Sequence, residues 1–134
     1  MIRLLAKRTA ALTVFALLLP AQAVAPADLP ALAKLEPGKW ELTNPASPGA
    51  KPDFVCLGDP IRLMKVEHNG LSCPHEVVES GPNGGSIHYV CAGNGFGRTT
   101  VRVETPRRVK IDSQGMASNR PFAYKLQARR VGPC

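Results

Sequence analysis

Beyond residue 36 the chain is punctuated by turn residues about every eight to twelve positions. That spacing leaves room for short strands and little room for long helices. Seven β-rich runs lie between the breaks, at 39–42, 53–57, 75–80, 86–91, 97–104, 108–112 and 121–130. Several alternate polar and apolar residues, as half-buried strands do. In the last run Phe122, Tyr124, Leu126 and Ala128 share one face, with Lys125, Gln127 and Arg129 on the other. There is no internal repeat, no heptad and no strand–helix alternation. The expected fold is mainly β: an antiparallel meander that curls into a sheet, a small sandwich or a partly open barrel. One short helix is expected after Asp59, which caps it, with Pro60 in its first turn and Asn69-Gly70 at its end.

The first residues belong to a different kind of segment. Arg3, Lys7 and Arg8 precede an apolar run over 9–19, and Pro20 then leads to Ala21-Gln22-Ala23. Charged, apolar and small-residue regions in that order predict a signal peptide over 1–23, with cleavage after residue 23 or 25. The apolar run is shorter than the roughly 20 residues of a membrane-spanning helix. The chain is thus expected to be exported, to the periplasm or beyond, with a mature form that does not span the membrane. Residues 24–36 are Ala- and Pro-rich and read as a tail, which leaves one domain over 37–134.

Export changes the meaning of the cysteines and of the charge. Cys56, Cys73, Cys91 and Cys134 all follow the leader, and an even count in an oxidising compartment predicts two disulfides. The favoured pairing is Cys56–Cys73, which closes a short loop, with Cys91–Cys134, which ties down the terminus. The formal charge of +7 falls to +4 once Arg3, Lys7 and Arg8 leave with the signal. What remains is lopsided: nine Lys and Arg stand against Glu104 and Asp112 from residue 98 onward. Arg98, Arg102, Arg107 and Arg108 make this half a candidate surface for anionic polymer or lipid. Few aromatic residues interleave with them, so nucleic acid is not expected.

Motifs that carry chemistry are scarce. Gly93, Gly95 and Gly97 precede a strand, so they predict a bulge or bend and not a phosphate loop. Cys73, His75, His88 and Cys91 have the ligand types of a zinc site. If Gly84-Gly85 is the hairpin turn, however, Cys91 faces Val78 and His88 faces Gly81, and the four do not converge. No catalytic residue, metal or cofactor is assigned. Trp40 reads chiefly as a core anchor, with ligand stacking as the alternative.

Taken in order, Pro37-Gly38-Lys39-Trp40-Glu41-Leu42, the Val55-Cys56-Leu57 step, Cys73, Cys91 and the closing Arg129-Arg130-Val131-Gly132-Pro133-Cys134 resemble a family of exported bacterial proteins called domain of unknown function 3617. The resemblance covers 37–134 and implies a periplasmic location. It carries no catalytic residue. The chain departs from the family in its Arg-rich late strands, where relatives have Met and Thr. The expected function is a non-enzymatic binding or interaction module that takes a small apolar ligand. The alternative is an envelope protein that meets anionic polymers or lipid through its basic C-terminal face.

Overall fold

The computed structural model describes residues 29–134. The expected signal peptide and cleavage sites lie outside the described residues. Seven strands form one antiparallel sheet: β1 (Gly38–Thr43), β2 (Asp53–Leu57), β3 (His75–Gly81), β4 (Gly84–Cys91), β5 (Gly95–Thr105), β6 (Arg108–Ala117) and β7 (Arg120–Gly132). Their order is β2-β1-β7-β6-β5-β4-β3, a meander with β1 added beside β7, and the sheet is not closed. The mainly β reading therefore holds. All seven expected runs are strands.

Alternation sorts each strand into an inner and an outer face, and register stacks the inner residues in rows across the sheet. One row is Gly85, Val101, Ile111 and Leu126; the next is Val103, Val109, Ala128 and Leu42. Trp40 follows on β1 and is fully buried. These aliphatic rows need a cover, and the topology supplies one. Strands β2 and β3 lie at opposite edges, so residues 58–74 must cross from one edge to the other. They carry Leu63, Met64 and His68 into the core on the way.

The helix expected over that crossing is two 3-10 turns, Pro60–Met64 and Val66–His68. Asp59 does cap the first, with Oδ1 accepting from the Ile61 N–H at 3.1 Å. Its bonds run from Arg62 N–H to Asp59 and from Lys65 N–H to Arg62, the i to i+3 spacing. A segment this short gains little from α geometry, and the tighter turn lets Leu63 and Met64 both point inward.

Residues 29–36, expected as tail, are part of the domain. Pro30–Lys34 is a 3-10 turn, and Leu29, Ala31, Leu32 and Leu35 are buried beneath the sheet. Polar contacts pin the segment at both ends. Lys34 Nζ donates to the Pro82 carbonyl, and the Glu36 N–H donates to the Pro106 carbonyl at 3.0 Å. Composition alone read it as a tail because its partners lie about fifty to seventy residues away.

Both disulfides form, but with a different pairing from the one expected. They are Cys56–Cys134 and Cys73–Cys91, with Cα separations of 5.7 and 4.6 Å. The cause is the hairpin register. The turn is Pro82-Asn83, flanked by the pair Gly81 and Gly84, and not Gly84-Gly85, and the pairing shifts by one residue between Val77 and Glu79. That register pairs His75 with Tyr89, and two residues further back it brings Cys73 opposite Cys91. Cys134 then bonds Cys56, linking β2 to the end of β7, the two strands that flank β1. The zinc alternative loses both thiols to the Cys73–Cys91 bridge.

Two turns also differ. Ser113-Gln114-Gly115, turn-type residues just after the expected run 108–112, lie within β6, and the chain reverses at Ser118 and Asn119, both at positive φ (49° and 63°). Positive φ at both central positions matches the right-handed twist of a two-residue hairpin. Gly93 and Gly95 are not a bulge: at φ 76° and 114° they make the β4–β5 turn, closed by Asn94 N–H to the Cys91 carbonyl.

Candidate functional site

The basic residues singled out in the sequence fall on or beside the outer face. Arg98 and Arg102 project outward from β5, and Arg108 lies at the start of β6 opposite Arg129. Lys110, Lys125 and Arg129 join them, each with a carboxylate. Lys110 meets Glu104 at 3.0 Å, Lys125 meets Asp112 at 3.5 Å and Arg129 meets Glu41 at 3.0 Å. These exposed pairs contribute little to stability, but they neutralise their cations. Arg98, Arg102 and Arg108 have no ion-pair partner among the described residues. The net positive field of this face therefore rests on these three guanidinium groups and on Lys39 of β1, which lies over the Phe54 ring at 4.6 Å.

Arg107 does not belong with them. It sits in the β5–β6 turn and holds Glu36 at 2.7 Å, fastening the N-terminal segment. Trp40 is no ligand platform either. It is fully buried, and its Nε1–H donates to the Glu36 carbonyl at 3.0 Å. Trp40 packs in the core, as its first reading held.

A second cluster went unrecognised in the sequence. At one end of the inner face Tyr89, Gly97, Gly115 and Phe122 form a cross-strand row. The Tyr89 ring lies over Gly97, where a Cβ would come within 2.4 Å of the Tyr89 oxygen. Buried His68 meets both rings edge-on, with centroids 5.4 Å from Tyr89 and 6.0 Å from Phe122. His68 Nε2 lies 3.1 Å from the Asn94 carbonyl and Nδ1 lies 3.1 Å from the Tyr89 hydroxyl. A carbonyl only accepts, so Nε2 carries the hydrogen. In the neutral ring Nδ1 then accepts from Tyr89. The next row holds Thr99 and Ser113, whose buried hydroxyls bond at 2.7 Å, and Tyr124. The Tyr124 hydroxyl is buried near Ser113 without a hydrogen bond of ordinary geometry. No motif spacing marks these residues; only register brings them together.

Burial raises both tyrosines to about 12, and the negative charge of Glu67 adds to the shift. A tyrosine ionises near pH 10 in the unfolded chain. The stability each contributes is thus fully present below pH 10 and is lost as pH rises toward 12. Alkaline titration of tyrosinate absorbance is expected to show two late-ionising groups that titrate as the fold melts. Two tyrosines ionising normally in a folded protein would contradict the burial.

The Cys73–Cys91 bridge lies at the same end of the sheet. Lys65 Nζ donates to the Cys73 carbonyl at 2.7 Å and lies 3.0 Å from His75 Nδ1. His88 lies on the outer face, 3.7 Å from Glu76. Two disulfides suit an extracellular or periplasmic setting. Among the described residues no helix is long and apolar enough to cross a membrane. Comparison with known proteins finds no matching family, no matching curated protein and no matching solved structure.

Proposed function

We propose that this chain is an exported binding module, with the periplasmic location that its resemblance to domain of unknown function 3617 implies. It holds an anionic component of the cell envelope on the outer face of its sheet. The observation that carries this reading is the set Arg98, Arg102 and Arg108, three exposed guanidinium groups without carboxylate partners among the described residues. A guanidinium presents a planar fork of donors that fits phosphate and carboxylate alike. A small apolar ligand has less support, because the inner face is occupied by the chain's own Leu29, Leu32, Leu63 and Met64. The His68–Tyr89 pair is buried, which favours binding over catalysis.

The test is the triple variant Arg98→Gln, Arg102→Gln, Arg108→Gln, measured against dextran sulfate and against anionic vesicles. Each cation near an anionic surface contributes about 1 kcal/mol, so affinity is expected to fall about a hundredfold. Salt should weaken wild-type binding, since the screening length is only about 10 Å at 0.1 M. Arg107→Gln, which removes a cation already paired with Glu36, should leave binding nearly unchanged. Equal affinity for wild type and triple variant would overturn the reading.

A further inference from the structure

The outer face is graded along the strands, and the gradient narrows the partner. At the end nearest the β4–β5 and β6–β7 turns, one cross-strand row is Val90, Phe96, Met116 and Pro121. Every member is apolar. Val90 and Phe96 are 48% and 45% exposed. The adjacent row is His88, Arg98, Gln114 and Ala123. Between the two rows lies a groove of about 410 Å³ that Phe96, Met116 and Ala123 share with Arg98, His88 and Gln114.

We infer that this end of the sheet inserts into the headgroup boundary of an anionic lipid membrane. The inference rests on the outer-face reading above and names its partner. Phe96 and Val90 enter the acyl margin, and Arg98 holds a lipid phosphate. A soluble polyanion offers charge along its whole length and nothing for an apolar row to enter. A membrane surface sets apolar chains directly beneath a plane of phosphates, in the order of these two rows. Two carboxylates of the outer face fit the same orientation, and Asp112, one row in from Arg98, is held by Lys125 at 3.5 Å. Glu41 and Glu104 lie toward the opposite end of the strands, paired with Arg129 and Lys110. Glu76 lies on the edge strand 3.7 Å from His88, which lines the groove.

The test uses Phe96→Trp as a reporter, with Thr100→Trp, two rows further in on the same strand, as the control. Trp40 is fully buried and gives a constant background. Vesicles of phosphatidylcholine alone are compared with vesicles containing phosphatidylglycerol, with and without brominated acyl chains. With phosphatidylglycerol, the tryptophan at position 96 should shift to the blue and be quenched by bromine, while the one at position 100 should do neither. Val90→Ser in the otherwise native chain should lower vesicle partitioning by about tenfold. Because Val90 is half exposed, the variant should still fold, which its circular dichroism melt checks. Vesicle binding that leaves position 96 unshifted would overturn insertion while the charge reading stands. Binding to dextran sulfate but not to vesicles would do the same. Binding to neither would remove both readings together.

Discussion

Trp40→Ala is expected to lower stability by about 3–5 kcal/mol. That is a large part of the roughly 5–15 kcal/mol that holds a domain of this size. Trp40 is fully buried on β1, between Val55 of β2 and Arg130 of β7. Strand β1 is the only strand that pairs with β2. Removing the ring therefore opens a cavity at the seam, and β2 is left with the Cys56–Cys134 bridge as its covalent tie to the end of β7. Trp40→Phe separates two contributions. It keeps an apolar ring but deletes the N–H that donates to the Glu36 carbonyl, a loss of about 1–3 kcal/mol. Urea unfolding followed by far-ultraviolet circular dichroism reads both, since Trp40 is the chain's only tryptophan. If Trp40→Ala lost less than about 1 kcal/mol, the seam would have to be held by something else.

The two disulfides should separate by accessibility before they separate by energy. Cys56 and Cys134 are exposed, whereas Cys73 and Cys91 are 5% and 2% exposed. Brief treatment with dithiothreitol, then alkylation and mass spectrometry, is expected to label Cys56 and Cys134 first. Labelling of all four at one rate would mean global unfolding precedes reduction. In energy the chain-entropy argument favours the longer closure. Sequence separations of 78 and 18 residues correspond to about 4.5 and about 3 kcal/mol. Burial works the other way, because Cys73→Ala with Cys91→Ala also removes core sulfur and adds a cavity cost. Cys56→Ser with Cys134→Ser has no such addition and should lose about 4 kcal/mol. A loss under about 1 kcal/mol there would show that β2 stays docked without the bridge.

The seven strands were legible because alternation and turn residues are local signals, and each survives without knowledge of the fold. The sorting of β7 into Phe122, Tyr124, Leu126 and Ala128 against Lys125, Gln127 and Arg129 is the clearest case. What failed depended on register or on distant partners. Placing the hairpin at Gly84-Gly85 and not at Pro82-Asn83 moves Cys91 from Cys73 to Val78, and the disulfide pairing goes with it. Ser113 and Gly115 carry turn composition, yet Ser113 bonds Thr99 and Gly115 makes room beneath Phe122. Of the four arginines, three lie on the outer face. The fourth is claimed by Glu36, 71 residues away, and no local pattern could say so. His68 was passed over for the same reason: its surroundings come from β4, β7 and the β4–β5 turn.

The placement of β1 beside β7 sets an order of events. Strands β3 to β7 pair with one another in sequence order through short hairpins, so they can zip together as they appear. Strand β1 must wait, because its partner ends at Gly132. A chain is delivered N-terminus first, whether from a ribosome or through an export channel, and closing such distant ends is the slow part of folding. The Cys73–Cys91 bridge can thus form while the chain is still emerging. The Cys56–Cys134 bridge cannot, because Cys134 follows the last residue of β7. That bond is therefore a record that all seven strands have emerged.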